Sequence, residues 1–540
     1  MDSTQQRGEG SAPGARLRIE ELRRAGGYVR RLRSYLKRPL DGDSGRGRLE
    51  RQLAAREATF LSVLGRGVFA NPRSPYRRLF DWARITYDDV AAEVRQVGLE
   101  RTLEGLYDVG VFVAWDEFKA KVPLRRSGLE LDVRPEDFDN PLGAHHYEAR
   151  TGGSNGSARR ILIDLDLLEH ESMYHALFFA AVRARDRPLG IWAPVPPGAV
   201  AMKTALIQAK LGRPVERWFA QNDLRESDFR HGLFTRGTLR AMARFGTRSS
   251  TPEHTPLGES SRVAEWLADR RANASAAVLF TTASGGVRTC VAATEHGLDI
   301  EGTLFVLGGE PYTRAKRERI EATGSVAVCH YAMAEAGAIG IACLAADACD
   351  DVHLLSDKIA TIQRDQPVGG NGVTVPALIH TTLLPASPKL MLNVESGDYA
   401  VRETRDCGCG VLPAAFSDHL HTIRSHEKLN SEGMTFLGTD LLALLEEELP
   451  ARFGGHATDY QLVEQEERGV PTVHLLVREA LGDLNDEEVS RCALAFLRDR
   501  GGAERLMAEI WDQGRTLRVI RGDPHVTPGS KILPLQILSG

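Results

Sequence analysis

Four stretches of the chain carry residue types that can bind and activate a phosphate ester. Thr151–Ser157 contains three glycines among hydroxyl and amide side chains, and glycines let backbone N–H groups converge on a phosphate. Glu335, after Tyr331-Ala-Met-Ala, offers a carboxylate of the kind that holds Mg²⁺ beside phosphate oxygens. Asp406, in Thr404-Arg-Asp406, can accept a pair of hydroxyls. Lys531, nine residues before the C-terminus, supplies an ammonium that can stabilise two anions brought together.

The glycine-rich loop does not have the context of a P-loop. It lacks the Gly-Lys-Ser/Thr ending, and the run after it (Arg160-Ile-Leu-Ile-Asp-Leu) is predicted to be a strand rather than a helix. Taken alone, the loop is more typical of a Gly/Ser turn in a hairpin than of a phosphate-binding loop. The order of the motifs along the chain is what favours a phosphate-binding function.

In this order and spacing the motifs resemble the signature of adenylate-forming acyl ligases, most closely the phenylacetate-CoA ligase-like branch, over about residues 140–540. The resemblance implies a loop that binds the phosphates of ATP, with Asn155 in place of a usual Thr. The phosphate-loop residues so implied are Thr151, Gly152, Gly153, Ser154, Asn155 and Gly156. It also implies a loop over the adenine, formed by Gly308, Gly309, Glu310 and Pro311.

The remaining site residues follow from the same resemblance. His330, Tyr331 and Ala334 are expected against the nucleotide, with Ala334 replacing a usual Thr, and Glu335 is expected to hold Mg²⁺. Asp406 aligns with the Asp of a Thr-Gly-Asp motif that accepts the ribose hydroxyls. The catalytic set is Lys531, Glu335 and Arg424, and His426 occupies the hinge position beside Arg424. Candidates for the acyl pocket, each equally plausible as core packing, are Tyr147, His175, Trp192 and Ala332.

The cysteines form a second constellation. Seven cysteines in a chain predicted to be cytoplasmic are not expected to pair. Cys343, His353, Cys407 and Cys409 are soft ligands that suit a tetrahedral structural Zn²⁺, with Cys349 as a substitute ligand. Four reduced, unliganded thiols are the alternative.

The sequence predicts an α/β fold class, with a large multi-layer N-terminal adenylate-forming domain and a small α+β C-terminal lid domain. A chain of 540 residues exceeds what one core usually supports. Short β-type runs alternate with helices from about residue 150 to 415, which indicates layered α/β structure. The predicted divisions are a disordered arm (1–15), a mainly helical part packed on the core (16–140), the ATP- and acyl-binding core (141–423) and a mobile C-terminal domain (424–540).

The reaction implied by the resemblance is activation of a carboxylic acid, an aryl acid by family analogy, with Mg-ATP to acyl-AMP and pyrophosphate. Transfer to CoA or to a carrier-protein thiol would follow. Two alternatives stay open. One is a stand-alone adenylating enzyme that passes the acyl group to an amine. The other is a degenerate nucleotide-binding paralogue acting as a partner or scaffold, which the changes at Asn155 and Ala334 would favour.

Composition excludes several partners. The net charge of −5 gives no general reason to bind nucleic acid, and no apolar run approaches the ~18 residues of a membrane span. The first residues show no secretory signal, so a cytoplasmic protein is predicted, with a homodimer left open. Residues 1–60 are basic, with 14 Lys/Arg against 8 Asp/Glu. This arm is either a docking patch or a solvated segment.

Overall fold

The structure is a computed structural model. It describes residues 26–40, 42–150, 160–196, 198–222, 229–368, 373–425, 430–431, 434–435, 438–467, 470–500, 508, 511, 517–527 and 531–538. The predicted disordered arm, residues 1–15, lies outside these ranges. No helix in the described ranges combines the length and apolar character needed to cross a membrane.

The first part of the chain is mainly helical. The helices are α1 (26–36), α2 (Gly42–Ala54), α3 (Arg56–Val63), α4 (Pro75–Ala83), α5 (Tyr87–Val97), α6 (Leu99–Asp108) and α7 (Trp115–Phe118), with a π-helical segment at Leu64–Phe69 after α3. Helix α5 begins at a capping box, in which the Thr86 hydroxyl accepts from the Asp89 N–H and the Asp89 carboxylate accepts from the Thr86 N–H. Two short hairpins follow: β1 (Leu124–Arg126) with β2 (Leu129–Leu131), and β3 (Tyr147–Arg150) with β4 (Arg160–Ile163).

A 12-stranded sheet forms the centre of the large domain. Its strands are β5 (Leu189–Ala193), β6 (Arg217–Ala220), β7 (Pro252–His254), β8 (Val278–Thr281), β9 (Leu304–Gly308), β10 (Val326–Met333), β11 (Gly337–Ala342), β12 (Val352–Leu354), β13 (Ile359–Val368), β14 (Val373–Thr382), β15 (Val394–Thr404) and β16 (Asp418–Ser425). The strand order is β13-β14-β15-β16-β12-β11-β10-β9-β8-β5-β6-β7. Strands β5 to β10 pair in parallel and β11 to β16 in antiparallel fashion, so the sheet is mixed.

Helices cover both faces of the parallel half. They are α8 (Leu165–Ala181), α9 (Val200–Lys210), α10 (Phe229–Phe245), α11 (Ser260–Asn273), α12 (Ala283–Glu295) and α13 (Arg314–Glu321). Helices α8 and α9 share one apolar cluster, and α11 and α12 share another on the opposite face. Strands β5 and β8 are buried along their whole length, as parallel strands between two helical layers must be. The antiparallel half is covered by α3 to α6, whose apolar side chains pack on β13 and β14.

The last hundred or so residues form a small α+β domain with its own core. It contains β17 (Asn430–Ser431), β18 (Met434–Thr435), α14 (Gly438–Ala443), a π-helical segment (Leu444–Glu448), α15 (Leu449–Phe453), β19 (Tyr460–Glu467), β20 (Val470–Val477), α16 (Asp486–Arg500), β21 (Leu517–Arg521) and β22 (Leu535–Leu538). Its sheet has the order β21-β20-β19-β22. The predicted fold class, a layered α/β domain followed by a small α+β domain, is confirmed.

Candidate active site

The ends of β9 and β10 bring two of the sequence motifs together. These strands pair in parallel, with Gly308 opposite His330, so the loop Gly308–Pro311 begins beside His330. Strand β10 continues from there to Met333, paired with β11, and Glu335 lies in the turn between these two strands. Ligands of open α/β sheets bind outside the carboxyl ends of the strands. Glu335 is buried in the turn to β11, and its backbone carbonyl accepts from the Lys389 N–H at 3.1 Å. The turn is therefore held by the segment between β14 and β15, in which Lys389 lies.

Lys531 reaches this edge from the small domain. Gly309 has a φ of +82°, and a Cβ added there would lie 2.8 Å from Lys531 Cε. Glycine is thus needed at position 309 both for its conformation and for the close approach of the lysine. The next residue, Ile532, donates its N–H to the Glu310 carboxylate at 2.8 Å. Glu310 is buried and also accepts from the Ser284 N–H and hydroxyl. The structure therefore places Lys531 beside the predicted adenine loop.

Tyr331 is held by a carboxylate that the sequence analysis did not select. Its hydroxyl donates to Asp398 at 2.8 Å, and burial, together with this carboxylate, raises the pKa of Tyr331 well above its usual range. Asp398 lies in β15 opposite Ser425 of β16, and its neighbour Tyr399 lies opposite Arg424. Asp398 therefore contacts Tyr331 and lies one register position from Arg424, whose side chain projects from the opposite face of the strand pair.

Asp406 is not brought together with Tyr331 and Asp398. It is exposed beyond the end of β15, and its carboxylate accepts from the Gly408 N–H at 3.2 Å. A strand rises about 3.3 Å per residue, so the six residues from Asp398 to Thr404 span roughly 20 Å. Ser396-Gly397-Asp398 keeps the Gly and Asp of a Thr-Gly-Asp motif, with Ser for Thr. This triplet is the sequence signal that was missed.

Arg424 is buried in β16 and fixed by a second carboxylate. Its guanidinium donates to Asp350 at 2.7 Å. Asp350 also accepts from the backbone N–H groups of Thr422 and Ile423, at 2.8 and 3.0 Å. Thr422 has a φ of +53°, an uncommon conformation for a Thr. The Asp350 contacts hold this turn and thereby orient Arg424.

The four acyl-pocket candidates do not lie together: Tyr147 and His175 lie on the α8 side of the sheet, Ala332 is exposed in β10, and Trp192 lies on the opposite face. His175 in α8 contacts His330, with ring centroids 5.5 Å apart. Burial lowers the pKa of His175 to about 4 and that of His330 well below its usual range, so both imidazoles are neutral at pH 7. Tyr147 packs against Tyr28, with centroids 5.8 Å apart, as part of the same apolar cluster as α8.

Ala332 is exposed at a bulge in β10 next to Tyr331, which suits a pocket-lining residue. Trp192 does not suit one. It is fully buried in the cluster on the opposite face of the sheet, and its indole N–H donates to the Thr255 carbonyl at 3.0 Å. Trp192 is therefore a core residue, because its only polar atom is already satisfied within the fold.

A buried charge cluster beneath the Glu335 turn was not predicted from the sequence. Glu171 of α8 accepts from the Ala338 N–H at 2.7 Å and pairs with Lys358 at 2.8 Å and Lys203 at 2.6 Å. Burial opposes ionisation of Glu171, but the two lysines hold its pKa far below the usual range. Lys203 is the partly exposed member, with 20% of its side chain accessible. The three residues are far apart in sequence, so no local motif announces the cluster.

The predicted metal ligands come together on three segments of the mixed sheet. His353 Nε2 of β12 lies 3.1 Å from the Cys409 sulfur and 3.6 Å from the Cys407 sulfur, both beyond the end of β15. The ligand atoms of Cys343, His353, Cys407 and His419 lie within 4.8 Å of one another. His353 Nδ1 contacts the Phe416 carbonyl at 3.0 Å, which leaves Nε2 available for a metal.

The donor set fits Zn²⁺, which favours sulfur and imidazole ligands in tetrahedral sites. A hydrogen bond from the Cys343 thiol, with a further contribution from His353, lowers the pKa of Cys409 to about 2. Cys409 is thus favoured as a thiolate, the form that binds metal. Cys349 is not a substitute ligand, because it packs with the helical layer on the other side and interacts with Arg317. His419, whose Nδ1 contacts Asp351 at 2.8 Å, is a further candidate.

Two predicted parts of the site lie outside the described residues. They are the hinge residue His426 and the phosphate loop, namely Thr151, Gly152, Gly153, Ser154, Asn155 and Gly156.

Comparisons with known proteins give a fold but no family. No protein-family model matches the chain, and no curated protein does. Among solved structures, 2-hydroxyisobutyryl-CoA ligase in its postadenylation state, bound to R3-HIB-AMP, is 15% identical over 93% of this chain and 91% of its own, with a TM-score of 0.50. That likeness shows a shared fold over nearly the whole of both chains.

Two further structures resemble the chain at lower TM-scores. ATP-bound MatB from Rhodopseudomonas palustris is 12% identical over 75% of this chain and 68% of its own, with a TM-score of 0.44. The amide bond synthetase McbA from Marinactinospora thermotolerans is 12% identical over 94% of this chain and 98% of its own, with a TM-score of 0.42.

Proposed function

We propose that the chain activates a carboxylic acid with Mg-ATP and transfers the acyl group to CoA or another thiol. The carboxylate oxygen attacks the α-phosphorus, the bond to the β-phosphate oxygen breaks, and acyl-AMP and pyrophosphate form. A thiolate then attacks the acyl carbon and AMP leaves. The observation that carries the proposal is the position of Lys531, which a separate domain brings against Gly309, in the loop that follows β9 beside His330.

Each residue of this edge has a role in the first half-reaction. Lys531 stabilises the carboxylate and the α-phosphate as they approach, a meeting of two anions that needs a positioned cation. Glu335 would hold Mg²⁺, which neutralises charge on the triphosphate when bound. Tyr331 flanks the adenine, and Arg424 closes over the ribose and phosphate. The phosphate loop at Thr151–Ser157 remains a prediction for binding the β- and γ-phosphates.

Asp398 takes the ribose in this proposal, in place of Asp406. An ionised carboxylate can accept from both ribose hydroxyls, and Asp398 is already oriented by the Tyr331 hydroxyl at 2.8 Å. The same bond ties the ribose acceptor to the residue that flanks the adenine. The two halves of the nucleoside would therefore be recognised by one connected pair of side chains.

The acyl group is proposed to bind between α8 and the end of β10, near His175, His330 and Ala332. Two neutral imidazoles and an alanine favour an uncharged acyl body, such as an aryl ring, with hydrogen bonds available from the rings. Lys203, the partly exposed cation of the buried charge cluster, pairs with Glu171, which accepts from the Ala338 N–H after the Glu335 turn. A hydroxy acid belongs in the substrate panel because the compared ligase is named for one.

The cysteine–histidine cluster is proposed to hold a structural Zn²⁺ through Cys343, His353, Cys407 and Cys409. Such an ion would tie the loop after β11 to the loop after β15. It lies away from the nucleotide edge, so it would support the fold rather than take part in the reaction.

The test is pyrophosphate release from Mg-ATP across a panel of aryl, aliphatic and hydroxy acids. We expect at least one acid to stimulate release, and Lys531→Ala to abolish that stimulation. If none does so with protein that binds ATP, the ligase proposal fails and a nucleotide-binding scaffold takes its place. Acyl-AMP consumption with CoA, a carrier-protein thiol and amines supplied in turn identifies the acceptor and separates a thiol ligase from an amide synthetase.

A further inference from the structure

A buried ion pair crosses between the two domains next to the adenine loop. Glu446 lies in the π-helical segment of the small domain, and Lys316 lies in α13 of the large one. Their charged groups are 2.7 Å apart, and only 6% and 7% of the side chains are exposed. Thr313 donates its hydroxyl to the same Glu446 carboxylate. Both oxygens of Glu446 are thus satisfied by the opposite domain.

The pair is connected directly to the nucleotide site. The Lys316 ammonium also donates to the Pro311 carbonyl at 3.0 Å. Pro311 ends the adenine loop, which Lys531 contacts at Gly309. Glu446 therefore reaches the adenine loop through one side chain. Ile532 donates to the Glu310 carboxylate at 2.8 Å, so the small domain contacts Glu310 directly and is linked to Pro311 through Lys316.

Burial makes this contact specific for one domain orientation. A charge removed from water is costly unless it is paired with good geometry and further hydrogen bonds. Here the pairing exists only while α13 and the π-helical segment face each other. A second ion pair between the described parts of the two domains, Arg314 with Glu447, is exposed at 71% and 44% of its side chains and longer at 3.5 Å. Such a pair contributes little.

We propose that Glu446 and Lys316 are positioning residues that hold the small domain in the orientation bringing Lys531 to Gly309. Thr313 and the Pro311 carbonyl complete the contact. The pair forms for acyl-AMP formation and separates when the small domain turns away for acyl transfer. This rests on the proposed function, because only a two-step reaction needs Lys531 to approach and to withdraw.

Hydrogen exchange on the full-length protein with Mg-ATP tests the contact without knowledge of the acid. We expect Glu446→Gln and Lys316→Met to speed exchange about tenfold in both facing segments, Thr313–Glu321 and Leu444–Phe453. The core strands β19 and β20 should keep their protection. Glu447→Gln is the matched control, because it removes the neighbouring exposed pair, and it should leave both segments as in the wild type.

The half-reactions give a second readout. With an acid that stimulates pyrophosphate release, Glu446→Gln should slow acyl-AMP formation about tenfold and leave acyl transfer from preformed acyl-AMP within about twofold. The double variant Lys316→Met/Glu446→Met leaves no unpaired buried charge. It should show the same split, even if a single variant folds poorly.

Three outcomes overturn the proposal. One is wild-type exchange in both segments of the single variants. Another is equal slowing of both half-reactions in the double variant. The third is loss of protection in β19 and β20 in every variant, which would mean that the pair maintains the small domain itself. Failure of the proposed function looks different, because wild-type protein would then release no pyrophosphate with any acid while the exchange experiment could still succeed.

Discussion

Asp398 and Asp406 both carry a carboxylate that could accept the ribose hydroxyls. One lies within β15 and the other beyond its end, and only their contacts distinguish them. Only Asp398 contacts Tyr331, at 2.8 Å. Replacing it with Asn removes an ionised acceptor, and a hydrogen bond to a charged group contributes roughly 1.5–3 kcal/mol. We expect Asp398→Asn to raise the KM for ATP in pyrophosphate release by about tenfold or more. Asp406→Asn, the matched control, should stay within about twofold, and the reverse result would restore Asp406 as the ribose acceptor.

The two neutral histidines predict a pH dependence of stability. Burial lowers the pKa of His175 to about 4, below the ~6.5 of an exposed histidine. The folded state therefore binds fewer protons than the unfolded state between these values, so its stability is complete above about pH 6.5 and falls as the pH drops towards 4. His330 shifts in the same direction.

This dependence can be measured by urea unfolding of the large domain at pH 7.5 and 5.0. We expect the wild type to lose roughly 1–2 kcal/mol per buried histidine over this interval. His175→Asn should show a correspondingly smaller loss between the two pH values, whatever its stability at pH 7.5. An unchanged pH dependence in that variant would mean that His175 is solvated and charges freely.

At the scale of elements, the fold class could be predicted because the sequence alternates between short apolar strands and amphipathic helices. The α/β class and the small α+β domain could be predicted, whereas the contact of Lys531 with Gly309 could not, because it depends on how the two domains pack. The position of Asp398 could not, because it depends on the pairing of β15 with β16. Register of this kind is set by neighbouring strands rather than by local sequence.

The same limit explains the charge contacts that the sequence analysis missed. Glu171 with Lys203 and Lys358, Asp350 with Arg424, and Glu446 with Lys316 all join distant segments. Trp192 illustrates the converse case, because an aromatic residue in an apolar run is equally plausible, from sequence alone, in a pocket or in the core. The helical layer that covers β5 buries Trp192 and makes it a core residue.

The cysteine cluster joins the loops that follow β11 and β15, so a metal there should be visible in composition and in stability. We expect about one equivalent of zinc in protein purified without a metal-affinity tag, measured by inductively coupled plasma spectrometry. Cys407→Ser should lose the zinc and lower the unfolding temperature by roughly 5 °C. Cys349→Ser is the matched control and should keep the metal. Less than about half an equivalent in the wild type would contradict the site.

At the scale of the whole molecule, the position of Lys531 depends on contacts made by its neighbour Ile532 and by the small domain as a whole. The tail that carries it is anchored by the bridge between Val526 and Ile532 and by the bond from Ile532 to Glu310. Glu446 with Lys316 sets the orientation of the domain behind it. A residue carried by a domain that moves can reach the active site in one step of a reaction and leave it in the next. A residue of the central sheet stays in the active site during both steps.

Lys531→Ala tests this difference. We expect acyl-AMP formation to fall by about 100-fold or more, because a positioned cation of this kind is worth roughly 2.7–4 kcal/mol. ATP binding, measured by calorimetry, should change by less than about threefold, since the nucleoside contacts lie on the large domain. Acyl transfer from preformed acyl-AMP should stay within about twofold.

Glu335→Gln provides the comparison for the same measurements. Its carboxylate lies in the large domain and would hold Mg²⁺ on the triphosphate, so its loss should weaken Mg-ATP binding as well as acyl-AMP formation. Acyl-AMP carries no triphosphate, so transfer should be largely kept in this variant too. The two variants therefore differ in ATP affinity alone. If Lys531→Ala instead slows both half-reactions equally, the lysine supports the structure of the tail rather than the chemistry of one step.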